Sequence, residues 1–405
     1  PLRVAILGFG TVGSSVARIL VERTELADRL QLTHVYNRGI HLKRVDWLPT
    51  VTWTEELDTV FAARPDVIVE LAGGVDPAGS WVRRALEQGA SVVTANKQLI
   101  AAHGPELLHL AASRHAQLRF EAAVGGGIPL IHGIREGLAG DRLSRVTGIL
   151  NGTCNYVLSR MAASGEAMEP VLVDARKLGY AEADPSADLD GLDAGAKIVV
   201  LAGIAFRRHL RLADIPLRSI RSITSDDFRY AARLRCTIRQ LASVEVAGPD
   251  SFHAFVGPAL VPAHSSLGRN EGADNFVTVS GRFLGESSFS GPGAGGSALA
   301  ARPAGGVGEE WRPASIVPPP PRPYYLRFVV RDRPGIITTI AAALERHRID
   351  LDAVLQEPGY PKDALPFVIT VEPCGEKALE AALGEIAGAD FLAEVPVMLP
   401  MLATR

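Results

Sequence analysis

From Leu2 to Phe120 short apolar runs alternate with longer amphipathic stretches. The spacing predicts a strand over Arg3 to Leu7, a helix over Val12 to Arg23, and strands at Leu32 to Tyr36, Val67 to Glu70, Ser91 to Thr94 and Gln117 to Phe120. Apolar strands separated by helices imply a parallel sheet covered on both faces, a Rossmann-type α/β domain. Between Gly125 and about Leu284 the rhythm is less regular. Helices are expected at Asn155 to Ala163, Glu169 to Leu178 and Asp193 to Phe206, and strands at Ile238 to Val246 and Asn275 to Gly281, which reads as a separate mixed α+β domain. Gly and Pro crowd the stretch from Gly291 to Pro323, and Pro318 to Pro321 predict a stiff polyproline II segment at a domain boundary. Beyond it the pattern predicts strand Tyr324 to Arg331, helix Pro334 to Arg346, strands Asp350 to Gln356 and Pro366 to Val371, helix Glu376 to Ile386 and strand Phe391 to Met398. That order is βαββαβ, the ferredoxin-like arrangement. The expected partition is therefore 1–124, with a return segment at about 285–312, then 125–284, a linker at 313–323, and 324–405.

Composition narrows the function classes. A chain of 405 residues with 47% hydrophobic and 21% charged residues is expected to be an ordinary soluble globular protein. A formal net charge of -3 with dispersed basic residues gives no electrostatic case for nucleic acid. No apolar run approaches the length that spans a bilayer, and the first residues read as a strand and not as a cleavable leader. Cys154, Cys236 and Cys374 lie far apart, against a disulfide framework or a zinc site, so a reducing cytoplasm is expected.

Gly8, Phe9, Gly10, Thr11, Val12 and Gly13 spell G-x-G-x-x-G directly between a strand and an amphipathic helix. In that context the first glycine permits a tight turn, the second lets backbone approach a pyrophosphate, and the third allows close helix packing. Amides at the helix N-terminus face the anion. A glycine turn without ligand is the plainer alternative. An acidic residue that would grip a ribose 2'-hydroxyl is missing after Tyr36, where Asn37 and Arg38 follow with Lys43 and Arg44 nearby. Those cations suit the 2'-phosphate of NADP, or else form a solvated loop.

Asp193 and Lys197 share one face at the start of a helix that is otherwise apolar all round. Such a helix is buried, so its charged first turn either reaches the surface as an ion pair or lines an internal cleft. In a cleft Lys197 is a candidate proton donor. Glu182, Asp184, Asp188, Asp190 and Asp193 crowd the preceding residues, with Leu189 where a calcium loop needs glycine. Asp190 is expected to cap the helix that follows, leaving Glu182 and Asp188 to grip a substrate amine. Lys97 closes VTANK at the carboxyl end of a parallel strand, where open α/β sheets bind ligands.

GFGTVG, VTANK, FEAAVGGGIP, GILNGTCNY and GYAEADPSADLDGLDAGAK occur in the order and rough spacing of the homoserine dehydrogenase family. The resemblance covers residues 1 to about 296, and the C-terminal βαββαβ unit with DRPG at Asp332 to Gly335 resembles an ACT domain. It implies reversible NADPH- or NADH-dependent reduction of aspartate 4-semialdehyde to homoserine, towards threonine, isoleucine and methionine. It places Lys197 and Lys97 beside the reacting oxygen, Glu182, Asp188 and Asp193 on the substrate amine or the lysines, Asn151 and Thr153 along the cleft, and Tyr180 over it. It further implies a monovalent cation (Na+) held by Glu121 and the carbonyls of Val124, Gly126 and Ile128. From the residues alone, Glu121 reads as a strand-end partner in a salt bridge. Gly293 opens the family's glycine-rich return to the cofactor, but from Ala298 the helix that should follow gives way to Pro303 and more glycines. ACT domains pair side by side and bind amino acids, which implies a homodimer or homotetramer and threonine as effector. Two alternatives stay open: a dehydrogenase of another amino acid or semialdehyde, and a non-catalytic sensor of dinucleotide and amino acid.

Overall fold

The structure, a computed structural model, describes residues 1–48, 50–294 and 310–402. In the N-terminal domain β1 (Leu2–Leu7), α1 (Thr11–Glu22), β2 (Leu30–Tyr36), β3 (Thr52–Thr54), α2 (Leu57–Ala62), β4 (Val67–Glu70), α3 (Ala78–Glu87), β5 (Ser91–Thr94), α4 (Lys97–Ser113) and β6 (Leu118–Arg119) follow one another. The strands form one parallel sheet in the order β3-β2-β1-β4-β5-β6. The order reverses between β1 and β4, so a crevice opens beyond their carboxyl ends, where Gly8 and Glu70 stand. Leu7, Ile68 and Val92 are fully buried, as a sheet covered on both faces requires.

The second domain begins with α5 (Leu130–His132), β7 (Leu143–Ile149), α6 (Gly152–Ser164), α7 (Met168–Lys177), α8 (Ser186–Leu189), α9 (Leu192–Phe206) and β8 (Arg208–His209). It continues through α10 (Ser225–Arg233), β9 (Cys236–Gly248), β10 (Ser251–Pro262), α11 (Ser266–Arg269), β11 (Asp274–Gly281) and β12 (Gly285–Pro292). Its mostly antiparallel sheet runs β12-β11-β7-β9-β10, with β14 (Ser315–Ile316) added in parallel at the edge. The apolar α9 is buried as its composition demands. Its Ile198, Val199 and Leu201 share one core with Leu99, Ile100 and Leu107 of α4, which locks the two domains together.

Two expected boundaries are corrected. Residues 285–292 do not return to the cofactor domain: β12 is the edge strand of the second sheet, paired along its length with β11. The predicted helix question after Ala298 lies outside the described residues. The chain does come back at Trp311, 3% exposed, whose ring sits where a Cβ on Gly104 or Gly203 would lie within 2.9 or 2.6 Å of it, wedged between α4 and α9. The proline-rich stretch is no free linker at its start. β13 (Arg312–Pro313) pairs with β8, β14 pairs with β10, and the Val317 amide donates to Phe252 O at 2.8 Å.

The C-terminal domain has the expected βαββαβ order: β15 (Arg322–Val330), α12 (Ile336–Arg346), β16 (Leu351–Gln356), β17 (Leu365–Cys374), α13 (Glu376–Ile386) and β18 (Val397–Pro400). Its antiparallel sheet runs β16-β17-β15-β18. Tyr324, Leu326, Phe328 and Val330 point to its own helices, while the alternate Tyr325, with Val368, Val397 and Leu399, joins the core of α6, α7 and α10. The strands β15 and β17 are covered on both faces, whereas the edge strand β16 keeps Leu351 and Val354 exposed.

Candidate active site

The glycine loop has the conformation its spacing predicts. Gly8 adopts φ +104, and a Cβ there would lie 2.8 Å from the Leu71 carbonyl carbon; a Cβ on Gly13 would lie 2.1 Å from Gly8 O. A Cβ on Gly10 meets no protein atom within 4 Å, so that position serves an approach from outside the chain. Gly10 caps α1 without a side-chain bond, leaving the amides of Thr11 and Val12 at an open helix N-terminus. Asn37, where the acidic residue is missing, accepts the Phe9 amide at 2.9 Å and so tethers the loop to β2. Arg38, Lys43 and Arg44 are exposed and make no ion pair among the described residues.

Asp193 stands between two ammonium groups that are distant in sequence. Lys97 Nζ lies 3.0 Å from Oδ1, and Lys197 Nζ lies 2.7 Å from Oδ2. The Lys197 and Asp193 side chains are 12% and 11% exposed, so the pair is largely buried and is not a surface ion pair. Lys197 also donates to Leu150 O at 2.7 Å, and its third hydrogen has no partner among the described residues. Burial opposes the charge on Asp193, but Lys197 and then Lys97 outweigh it and hold the carboxyl well below the usual range. Asn151 organises the rest. Its Oδ1 caps α6 by accepting the Cys154 amide at 2.8 Å, while its Nδ2 donates to Asp188 at 2.7 Å and to Asp193 at 2.8 Å. Burial pushes the Asp188 carboxyl above its ordinary value, with the Asn151 hydrogen bond pulling the other way.

Thr153 donates to Tyr180 O at 2.5 Å, and the Tyr180 ring packs on Tyr156 with centroids 4.8 Å apart. Glu182 is exposed and joins no ion pair among the described residues. Asp190 does not cap α9. Gly191 holds that position at φ 85, and Asp190 instead accepts Ser219 Oγ at 2.7 Å and Arg221 Nε at 2.9 Å, because the left-handed turn points its carboxylate outward. Glu121 is 5% exposed and accepts the amides of Ile131 at 3.1 Å and His132 at 3.0 Å, so it caps the start of α5 and is more than a strand-end salt-bridge partner. Gly293 lies against the turn at Gly126, where a Cβ would sit 2.5 Å from Gly293 O.

Sequence reading passed over Glu70, Thr94 and Asn96, a buried polar set beside Lys97. Its signal was a carboxylate ending an otherwise apolar parallel strand.

Profiles described as "Homoserine dehydrogenase, NAD binding domain" and "Homoserine dehydrogenase" match residues 8–121 and 129–302. The chain belongs to the homoserine dehydrogenase family. An ACT domain profile matches residues 324–390, so the βαββαβ unit is an ACT domain. The homoserine dehydrogenase of Mycobacterium tuberculosis is 37% identical over 96% of this chain and 94% of its own. That of Synechocystis is 34% identical over 99% and 100%. Among solved structures, a homoserine dehydrogenase from Thiobacillus denitrificans superposes with a TM-score of 0.89 at 30% identity, covering 99% of this chain and 98% of that one. A hyperthermophilic archaeal homoserine dehydrogenase mutant in complex with NADPH matches 74% of this chain and 94% of its own, with a TM-score of 0.64 at 27% identity. In this chain the bare Gly10 approach and open α1 amides fit a dinucleotide pyrophosphate. Its ACT domain carries an open surface hollow of about 800 Å³ lined by Ile337, Thr338, Ala341, Glu345, Arg348 and Asp350, with groups of both charges. Among the described residues no helix is long and apolar enough to cross a membrane.

Proposed function

We propose that the chain catalyses the reversible reduction of aspartate 4-semialdehyde to homoserine, with Lys197 as proton donor. The observation that carries this is the convergence of Lys97 and Lys197 on Asp193 at the mouth of the domain interface. The nicotinamide cofactor supplies and accepts hydride. A carbonyl gaining hydride develops alkoxide charge, and the ammonium of Lys197 both stabilises that charge and gives up its free proton. Asp193 and Leu150 O aim the amine; Lys97 adds a second positive charge. Asp188, clamped by Asn151, takes the substrate ammonium, with Glu182 at the rim and Tyr180 over the opening. Gly8, Gly10, Thr11, Val12, Gly13 and Gly293 line the cofactor path. The unpaired Arg38 and Lys43 favour NADP over NAD, since a 2'-phosphate needs free cations. Purified protein with homoserine and each oxidised cofactor is expected to produce the reduced cofactor, faster with NADP. A flat trace with homoserine, alongside turnover of another amino alcohol, rejects the substrate.

The buried Glu121 with the carbonyls of Val124, Gly126 and Ile128 is an oxygen-only set that fits a hard monovalent cation such as Na+. Replacing Na+ by tetramethylammonium is expected to lower activity. In the ACT domain the charges of Arg348 and Asp350 in the open hollow suit a zwitterionic amino acid, and threonine is the proposed effector. Threonine is expected to inhibit, and Arg348→Gln to blunt that inhibition; an unresponsive wild type ends the sensing role. Pairing of ACT domains makes the working form a homodimer or homotetramer. Three unpaired cysteines support a cytoplasmic setting.

A further inference from the structure

β1, β4 and β5 end level, with Leu7 beside Glu70 and Glu70 beside Thr94. Glu70 is 0% exposed and forms no ion pair among the described residues. A carboxyl in that place is costly unless hydrogen bonds replace water. Its Oε1 accepts the amides of Ala72 at 2.8 Å and Gly73 at 3.1 Å, and its Oε2 accepts the Thr94 hydroxyl at 2.6 Å. Thr94 Oγ1 in turn accepts the Asn96 amide at 2.9 Å. Asn96 then donates through Nδ2 to Gly74 O at 2.6 Å and caps α4 by accepting the Leu99 amide at 3.1 Å. The next residue is Lys97, the first of α4, whose ammonium meets Asp193. The same Leu71 and Ala72 backbone is what Gly8 rests on. One buried carboxyl therefore ties the loop behind the dinucleotide turn to the loop that carries Lys97.

We propose that Glu70 is a positioning residue for the reaction, acting through Thr94 and Asn96 to set Lys97 and through Ala72 and Gly73 to set the loop behind Gly8. The proposal rests on the reading that Lys97 faces the reacting group. The hydroxyl of Thr94 is the joint: it gives its one hydrogen to Glu70 and keeps a lone pair for Asn96. A glutamine at position 70 keeps one oxygen for the two amides but replaces the other with an NH2 donor, so the Thr94 hydroxyl hydrogen loses its acceptor.

The test measures kcat, cofactor KM and urea midpoint for Thr94→Val, Thr94→Ser, Glu70→Gln and Lys97→Met. Misplacing a reacting group by an ångström costs on the order of 100-fold, so Thr94→Val is expected to lower kcat by about that factor with cofactor KM within about twofold. Thr94→Ser keeps the hydroxyl and should restore kcat to within about threefold of wild type. Glu70→Gln takes the acceptor from the Thr94 hydroxyl while the two amides keep theirs, so it is expected to lower kcat with cofactor KM within about twofold. Wild-type kcat in Thr94→Val and Glu70→Gln while Lys97→Met is crippled overturns the proposal. So does a loss that serine fails to restore, or one that follows the urea midpoint. Full turnover in Lys97→Met removes the reading of Lys97 itself, and the proposal falls with it.

Discussion

Asp193 lends one oxygen to each of two ammonium groups, which keeps both lysines charged-partnered yet leaves Lys197 a hydrogen to spare. Methionine at position 197 matches the stem and removes the proton, so Lys197→Met should cut kcat/KM by about 100- to 10,000-fold, read in the homoserine oxidation assay. Asp188 titrates differently. Burial raises its folded-state value, so its negative charge is present above that raised value and is lost as pH falls through it, earlier than for an ordinary aspartate. The KM for homoserine should therefore climb about tenfold or more on the acid side, and Asp188→Asn should start high and show no such limb. A pH-KM profile unchanged by that substitution would place the substrate amine elsewhere.

Among elements, the turn into α1 separates two duties that its sequence writes with the same letter. Gly13 is needed by the fold: a Cβ would enter Gly8 O, so Gly13→Ala should cost roughly 1–3 kcal/mol in urea unfolding and weaken the cofactor as well. Gly10 is needed by the ligand. Its Cβ would meet only open space, so Gly10→Ala should keep the urea midpoint while raising cofactor KM. The loop was legible because its chemistry is local, as were α9 and the whole βαββαβ order. β7, β10 and β12 were not: glycines, serines and prolines obscure the alternation in β10 and β12, the hairpin partners of β9 and β11, and β7 pairs with β9 and β11, far along the chain. Asp190 was misread for a similar reason: the cap went to Gly191, because the chain enters α9 through a left-handed residue.

Over the whole molecule, the ACT domain is fused to the catalytic one. Arg327, 5% exposed at its side chain, lies 3.0 Å from Oδ1 of the fully buried Asp227, which also accepts the Tyr325 hydroxyl at 2.8 Å and the Thr224 amide at the start of α10. Burial raises the Asp227 carboxyl, and the Arg327 charge opposes the rise. Arg327→Ala should therefore destabilise by about 3–5 kcal/mol, because it strands a buried acid. Arg233→Ala, which breaks the exposed pair with Glu357 across the same interface, should cost at most about 1 kcal/mol. Urea unfolding of the two variants checks the contrast; equal losses would mean that the interface is held by apolar contact alone. Removing the ACT domain would uncover Phe228 and Tyr230, so effector studies are better served by point variants than by truncation.

Local patterns in the chain were enough to specify the dinucleotide turn, the buried helix with its charged first turn and the order of the C-terminal elements, because each follows from periodicity or from a short motif. Tertiary structure alone decided that Lys97 and Lys197 share Asp193, that Glu70 couples two loops, that β7 lies between β11 and β9, and that one face of the ACT sheet packs on α6, α7 and α10. The physical reason is separation along the chain. These contacts join segments tens to hundreds of residues apart, and what brings them together is the burial of α4 against α9 and of β15 against α10, a free energy summed over whole faces that no single stretch of sequence contains.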